Sequence, residues 1–437
     1  MKEITILPGP LRGTIQAPPS KSQAHRALIC AALAAGVSRL SHMEASDDIL
    51  ATAAGLRALG AAVSPGPEEW VVHGAENPTA AGGSSGQVQV ECGESGSTLR
   101  FLLPLFPACG RAARFTGRGR LGRRPLEPYR DIMRAQGIHW QEEKGEGLSL
   151  RLSGRLRPGV FSLPGDVSSQ FVSGLCFALP LLAGESVLHL TTELESAPYL
   201  DLTLAALRGA GVVIRSEGPR SYRIPGGQTY QPRDLRIEGD YSQAVFFLVA
   251  GALGSGVTVA GLDPASRQGD RAALAILARL GYRVTEQAGA VTCAPGPPPA
   301  AAVEIDAAPC PDIIPALALA AALRPGLTTT IVRAGRLRLK ECDRLRATAT
   351  ELGALGADIE EREDGLVIRG VSRLLGDLRL DSHGDHRMAM TLAIAARVAT
   401  RPVALTDPDC VRKSYPGFWT DFAALGGRWT TEAGGEV

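Results

Sequence analysis

One short pattern recurs six times along this 437-residue chain: an apolar helix end, a Gly stop, then the start of a strand. It reads LRALGAAV from Leu56, MRAQGIHW from Met133, LRGAGVVI from Leu207, LARLGYRV from Leu277, LGALGADI from Leu352 and FAALGGRW from Phe422. The glycines are Gly60, Gly137, Gly211, Gly281, Gly356 and Gly426, at intervals of 77, 74, 70, 75 and 70. A single Gly after a helix means little, because Gly adopts the left-handed conformation there without a side-chain clash. Six at nearly constant spacing mean repeats.

A second series runs out of phase with the first and sets a polar cluster before a nearly all-apolar helix. Its copies are PSKSQAHRALICAALAAG from Pro19, ESGSTLRFLLPLF from Glu94, DVSSQFVSGLCFALPLLAG from Asp166, DYSQAVFFLVAGALGSG from Asp240, CPDIIPALALAAAL from Cys310 and GDHRMAMTLAIAARV from Gly384. Ser20, Glu94, Val167, Tyr241, Pro311 and Asp385 mark the series at intervals of 74, 73, 74, 70 and 74. Each unit therefore holds one helix apolar all round, which must be buried. It also holds one amphipathic helix, such as DIMRAQ or DRLRATATELGAL, and strand-like runs such as WVVHG, SYRIP and GLVIRG. The expected class is α/β with helices packed inside and sheets outside. TAAGGSSG (Thr79 to Gly86) and CAPGPPPAAA (Cys293 to Ala302) fall within repeats and read as loops.

The length suits two to four domains. Hydrophobic residues at 45% and charged residues at 21% exclude disordered, collagen-like and coiled-coil classes. Lys plus Arg is 46 against Asp plus Glu 45, a formal charge of +1, which argues against nucleic acid or an anionic membrane as the main partner. The N-terminal MKEITILPGPLRGTI has no apolar core of a signal peptide, and no run reaches the length of a membrane span. A cytoplasmic location is expected. The eight cysteines are scattered without a CxxC, so reduced thiols are expected rather than a zinc site or disulfides.

Buried helix starts offer unpaired backbone N–H groups and a partial positive charge, and so attract anions. Ser20, Lys21, Ser22 and Arg26 open the first copy, Ser95, Gly96, Ser97 and Arg100 the second, and Ser168, Ser169 and Gln170 the third. Good N-capping accounts for the Ser residues. It does not account for Lys21, Arg26, Arg100 or Arg387, because cations there oppose the helix dipole, and something negative should compensate them. Lys340 and Arg344 in KECDRLRATATEL are expected i,i+4 on one helix face, a like-charge pair that calls for an anion between them. In VRKSYPGF, Arg412 and Lys413 read as loop charges before Pro416. GRGRLG (Gly117 to Gly122) matches a dinucleotide fingerprint in form, but Arg123, Arg124 and Pro125 follow where a helix should open, so it reads as a basic Gly-rich loop. HGDH (His383 to His386) lacks further ligands nearby, so no metal is expected there.

PSKSQAHR, ESGSTLRF, RRPLEPYRD, DVSSQF, ESAPYLD, KECDRL, GDHRMAM and RKSYPGF stand in an order and spacing that resembles the 5-enolpyruvylshikimate-3-phosphate (EPSP) synthase family, over nearly the whole chain. The resemblance implies a two-domain inside-out α/β barrel of six βαβαββ repeats. One domain would run over 20–239 and the other over 1–19 plus 240–437. Closure would bring Lys21, Arg124 and Gln170 opposite Lys340, Arg344, Arg387 and Lys413. It implies transfer of the enolpyruvyl group of phosphoenolpyruvate to the 5-hydroxyl of shikimate 3-phosphate, with release of phosphate, in aromatic amino acid biosynthesis. No cofactor is implied.

By the same resemblance, Lys21, Ser22, Arg26, Ser168, Ser169, Gln170, Ser196, Tyr199, Asp312 and Lys340 would contact shikimate 3-phosphate. Lys21, Gly96, Arg124, Gln170, Arg344, Arg387 and Lys413 would hold phosphoenolpyruvate, and glyphosate would compete there if Gly96 keeps its close approach. Asp312 would take the proton of the 5-hydroxyl, with Lys21, Glu341 and His386 also catalytic. Glu94 and Arg336 stand where several relatives have Asn. A monomer is expected, with no nucleic-acid or membrane partner. The chemistry demands these residue types: two multiply charged anions held side by side need many cations and helix ends, and an acid and a base must flank the reacting carbons.

Two other readings are weighed. The related transferase acting on UDP-N-acetylglucosamine generally carries Cys or Asp on the loop before its RP dipeptide, and Arg111 to Pro125 contains neither. A non-catalytic repeat protein binding an anionic polymer fits poorly with a net charge near zero.

Overall fold

In the computed structural model, which describes residues 2–76, 86–143 and 145–431, the chain forms two compact units, Lys21–Ile237 and Met1–Ser20 with Glu238–Val437. Each has its own apolar core. The fold is mixed α/β, and among the described residues it holds six four-stranded sheets, three in each unit.

The sheets share one plan. Val88–Glu91 lies parallel to Ala113–Gly117, which runs antiparallel to Leu148–Ser153, itself antiparallel to the edge strand His139–Glu142. Val303–Asp306, Thr328–Val332, Gly365–Arg369 and Asp358–Arg362 repeat it. In three sheets one strand comes from a distant part of the chain. Glu3–Leu7 fills the position between Val403–Thr406 and Arg428–Thr431, Arg12–Gln16 pairs with Gly256–Ala260, and Leu235–Arg236 pairs with Val37–Ser41. Pro19 and Gly239 form an antiparallel bridge, flanked by Ser20 N donating to the Glu238 carbonyl and Asp240 N to the Pro18 carbonyl, both 2.8 Å.

The all-apolar helices are the core. Every residue of Tyr241–Ala252 and of Ile314–Ala322 is buried, as is Ala24 to Leu33 of Lys21–Leu33. The strand Leu148–Ser153 buries alternate residues, as the two-residue period requires. Side-chain caps open four of these helices: Ser95 accepts from Thr98 N, Ser168 from Gln170 N, Asp240 from Ser242 N and Gln243 N, and Asp385 from Arg387 N.

All six recurrent glycines lie past helix ends with positive φ, between 70° at Gly137 and 111° at Gly60. Each closes the same pair of hydrogen bonds. Gly60 N reaches the Arg57 carbonyl and Ala61 N the Leu56 carbonyl; Gly356 N reaches Gly353 and Ala357 N reaches Leu352. This double closure satisfies carbonyls that the helix leaves open and turns the chain into the next strand.

Of the two stretches read as loops, Thr79 to Gly86 lies outside the described residues except for Gly86. The other loop begins later than expected, because Cys293 and Ala294 end the strand Ala290–Ala294. The GRGRLG segment leaves the strand Ala113–Gly117 and enters a short 3₁₀ turn, Gly119–Arg123. All eight cysteines are free, and burial pushes the thiols of Cys30, Cys109, Cys176 and Cys293 up to about 12. Among the described residues no helix is long and apolar enough to cross a membrane.

Gly137 isolates the cost of the positive φ, because a Cβ built there meets nothing within 4 Å. Gly137→Ala should therefore destabilise the protein by about 1 kcal/mol through backbone strain alone. Urea denaturation with an unchanged m-value would measure it, and no loss of stability would refute the closure role.

Candidate active site

In the unit Lys21–Ile237, cations gather at the starts of buried helices. Lys21 opens its helix and donates to Asp48 Oδ2 at 2.7 Å, a carboxylate on the next helix, Asp47–Leu59. Arg26 is buried and donates to Thr203 Oγ1 at 2.9 Å and to the carbonyls of Ser22 and Tyr199 at 2.7 Å each. Its guanidinium stacks 5.2 Å over Phe101. Burial lowers its pKa to about 10, so it stays charged at neutral pH. Ser196, in the left-handed conformation at φ 55°, precedes the helix that carries Tyr199.

A second group in this unit centres on the helix Gly96–Leu102. Arg100 donates to Gln170 Oε1 at 2.8 Å and to the Pro125 carbonyl at 3.2 Å, with its guanidinium 4.8 Å over Phe171. Gln170 Nε2 in turn donates to Ser97 Oγ at 3.0 Å. A Cβ built on Gly96 would come within 2.8 Å of Arg124 Nη1 and 3.6 Å of Gln170 Oε1. The glycine thus keeps a guanidinium and an amide close to a helix N-terminus. Ser168 and Ser169 are buried at the start of the helix that holds Gln170.

The other unit holds an ion network around Arg344, which is 1% exposed. Arg344 Nε donates to Asp385 Oδ2 at 2.7 Å, Nη1 to Asp312 Oδ1 at 2.9 Å, and Nη2 to Glu341 Oε2 at 2.9 Å. Lys340 Nζ also reaches Asp312 Oδ1, at 3.1 Å, and Arg387 Nη2 stands 3.7 Å from Asp312 Oδ2. Lys413 lies 3.0 Å from Glu341 Oε1. His386 Nδ1 is 3.8 Å from Asp385 Oδ1. Four cations, Lys340, Arg344, Arg387 and Lys413, thus face three carboxylates, Asp312, Glu341 and Asp385.

Burial works against the Asp312 carboxylate, but Lys340, Arg387 and Arg344 outweigh it and hold the carboxyl well below its usual range. Burial also lowers the Lys340 pKa, and Asp312 offsets this only in part. The result is an ionised carboxylate inside a cluster of excess positive charge, suited to anionic ligands that would compete for the same cations.

Three expectations change. Lys340 and Arg344 do not share a helix face. Asp343 accepts from Arg346 N and starts the helix at Arg344, while Lys340 is extended at the end of the 3₁₀ turn Gly335–Leu339. The anion between them is Asp312, reached through the tertiary fold. Lys413 is not a surface charge: it ends the 3₁₀ turn Pro408–Lys413, is buried and pairs with Glu341. The compensation of Arg26 comes from neutral carbonyls, a hydroxyl and a ring face rather than from an anion. Lys21 and Arg387 do have carboxylate partners, Asp48 and Asp312.

Sequence reasoning missed Asp48 and the charge role of Asp385. The N-capping position was the only available signal for Asp385, and nothing local marks Asp48 as the partner of Lys21. His383, read against metal binding, sits at φ 54° with Nε2 2.8 Å from Glu351 Oε1.

The two sites define a class: enzymes that hold small, multiply charged anions by buried cations and helix starts, with an ionised carboxylate among them. The family model described as EPSP synthase (3-phosphoshikimate 1-carboxyvinyltransferase) matches residues 7–422. The 3-phosphoshikimate 1-carboxyvinyltransferase of Clostridium perfringens (strain 13 / Type A) is 47% identical over 428 residues, covering 98% of this chain and 99% of the relative. That of Clostridioides difficile (strain 630) is 44% identical over 433 residues, 98% of each chain. Among solved structures, EPSP synthase from Acinetobacter baumannii superposes with a TM-score of 0.78 at 26% identity, covering 98% of this chain and all of that one. The enolpyruvyl transferase NikO from Streptomyces tendae shares the fold, with a TM-score of 0.77 at 22% identity, covering 98% and 99% of the two chains. The chain belongs to the EPSP synthase family.

The hydrogen bond with Glu351 raises the His383 pKa against the opposing effect of burial. A raised folded-state value means the pair's stabilisation is complete below about pH 6.5, the unfolded value, and is lost as pH rises through the folded value. His383→Asn, which tolerates the left-handed backbone, should therefore lose more stability at about pH 6 than at about pH 9. Equal losses in thermal denaturation at both values would refute the linkage.

Proposed function

We propose that the residues of the two units serve one reaction: transfer of the enolpyruvyl group from phosphoenolpyruvate to the 5-hydroxyl of shikimate 3-phosphate, with release of phosphate. The protein is an enolpyruvyl transferase of aromatic amino acid biosynthesis. The observation that carries the reading is the Asp312 carboxylate, ionised among Lys340, Arg344 and Arg387. Addition begins as the 5-hydroxyl attacks C2 of the enol and gives its proton to Asp312, while C3 gains a proton. A tetrahedral ketal with a methyl group at C3 forms, and loss of phosphate together with one proton from C3 leaves the vinyl ether.

Before substrate binds, the cations around Asp312 keep it ionised but weakly basic. Phosphate and carboxylate oxygens of the ligands would draw Lys340, Arg344 and Arg387 toward themselves, and the basicity of Asp312 would rise as they do. Glu341, shared between Arg344 and Lys413, and His386, beside Asp385, would exchange the proton at C3. Lys21, Ser22, Arg26, Ser168, Ser169, Gln170, Ser196, Tyr199 and Lys340 would hold shikimate 3-phosphate. Lys21, Gly96, Arg124, Gln170, Arg344, Arg387 and Lys413 would hold phosphoenolpyruvate. The six similar sheets around buried helices support the two-domain inside-out barrel, with domains 20–239 and 1–19 plus 240–437. We further propose a cytoplasmic monomer.

Phosphate release from shikimate 3-phosphate plus phosphoenolpyruvate tests the reading; turnover only with the UDP-sugar would reject it. Asp312→Asn should lower kcat by about 10²-fold or more while the protein stays folded. Near-normal kcat would remove Asp312 from this role. Lys21→Ala should likewise abolish most turnover. Because it removes the ion pair with Asp48, whose side chain is 6% exposed, Lys21→Met with Asp48→Asn is the control for stability. Gly96→Ala should raise the KM for phosphoenolpyruvate by about tenfold through displaced Arg124, with little loss of stability, since the crowded atom is the end of a flexible side chain. An unchanged KM would remove Gly96 from that contact.

A further inference from the structure

Behind the residues proposed to meet substrate, the unit Lys21–Ile237 holds a buried polar ladder between three helices. Lys21 and His25 stand one turn apart on Lys21–Leu33, and Asp48 and Thr52 one turn apart on Asp47–Leu59. The turns match rung for rung: Lys21 Nζ donates to Asp48 Oδ2 at 2.7 Å, and His25 Nδ1 lies 2.8 Å from Thr52 Oγ1. The helix Gly96–Leu102 joins through Thr98, whose Oγ1 is 2.7 Å from Thr52 Oγ1, 2.8 Å from Ser95 Oγ and 3.2 Å from the Asp48 carbonyl. His25, Thr52, Thr98 and Ser95 are each at most 1% exposed.

Proton accounting gives the ladder a direction. His25 Nε2 has no hydrogen-bond partner, so the arrangement that orphans no buried N–H puts the ring hydrogen on Nδ1. Thr52 then accepts from His25, and Thr98 accepts from Thr52 and gives its own hydrogen to the Asp48 carbonyl or to Ser95. The imidazole is therefore the neutral tautomer with its hydrogen on Nδ1. Nε2, buried without a hydrogen-bond partner, carries a bare lone pair rather than an orphaned N–H. Burial, aided by Lys21 and Arg26 and opposed by Asp48, lowers the ring's pKa to about 3, in keeping with a neutral form.

Hydrophobic attraction between helices is non-directional, whereas hydrogen bonds are specific to one register. A shift of one residue, about 1.5 Å, would break the His25 and Thr52 rungs and leave their donors unsatisfied in the core. The helix starts that carry Lys21 and Gly96 are thus held in one register by hydroxyls and a ring buried between the helices.

We infer that His25, Thr52 and Thr98 are positioning residues for the transferase reaction, setting the placement of Lys21 against Gly96 and Arg100. The inference rests on the reading above that Lys21 and Gly96 meet the substrates. Thr52→Val removes the hydroxyl at nearly constant volume, and Thr52→Ser keeps it. In steady-state phosphate release by the full chain, Thr52→Val should lower kcat/KM for phosphoenolpyruvate by about tenfold or more. Thr52→Ser should stay within about threefold of wild type. Normal kinetics in Thr52→Val, or equal losses in both variants, overturn the inference, since a purely structural role would lower the melting temperature and spare the constants of the folded enzyme. Should Thr52→Val not fold, His25→Asn, which keeps an N–H near the Nδ1 position, set against His25→Leu makes the same comparison. Wild type that releases no phosphate from this substrate pair would reject the functional reading instead. The ladder is then tested by nitrogen NMR of the imidazole: a neutral Nδ1–H ring that does not titrate between about pH 5 and 9 is expected, and an Nε2–H or charged ring overturns it.

Discussion

Charge buried at the mouths of apolar helices is the constraint on which everything else in this protein depends. Helices such as Ile314–Ala322 and His386–Val398 are buried almost throughout, so their starts deliver whatever precedes them into a place with little water. A cation there opposes the helix dipole and loses hydration at once. It is stable only with partners supplied from elsewhere in the fold. Arg344, buried at the start of the amphipathic helix Arg344–Ala354, meets the same demand, with its guanidinium spread over Asp312, Glu341 and Asp385.

The partners differ in kind, and the difference bears on chemistry. Asp385 is fully buried and caps its helix while bonding Arg344, so it is committed to structure. Asp312 bridges three cations and Glu341 two, and a bridging carboxylate can give up one contact to an incoming anion without losing the rest. In the unit Lys21–Ile237 the balance is struck differently. Arg26 rests on carbonyls, a hydroxyl and the Phe101 face, neutral partners that leave its positive charge uncancelled.

Much of the fold was legible because its signals are local. A helix stop at Gly211 or Gly356 is decided by the backbone freedom of one residue and by two hydrogen bonds within six residues of chain. The polar starts at Ser95, Ser168, Asp240 and Asp385 are caps, again a local matter. The site was legible by residue type but less so by arrangement. Lys340 and Arg344 were expected on one helix face, yet the cap at Asp343 separates them and Asp312, 28 residues before Lys340, reunites them. Lys413 followed the same course, since only burial distinguishes it from its exposed neighbour Arg412.

By itself, the sequence determined the sixfold recurrence, the buried and amphipathic helices, the Gly closures and the set of residue types able to bind anions, because each depends on neighbours a few positions apart. Only the tertiary structure decided which carboxylate answers which cation, that Glu3–Leu7 completes a sheet with strands some 400 residues on, and that His25 meets Thr52 and Thr98. Those pairings are set by packing between elements far apart in the chain, and no local pattern encodes a partner whose distance along the sequence is arbitrary.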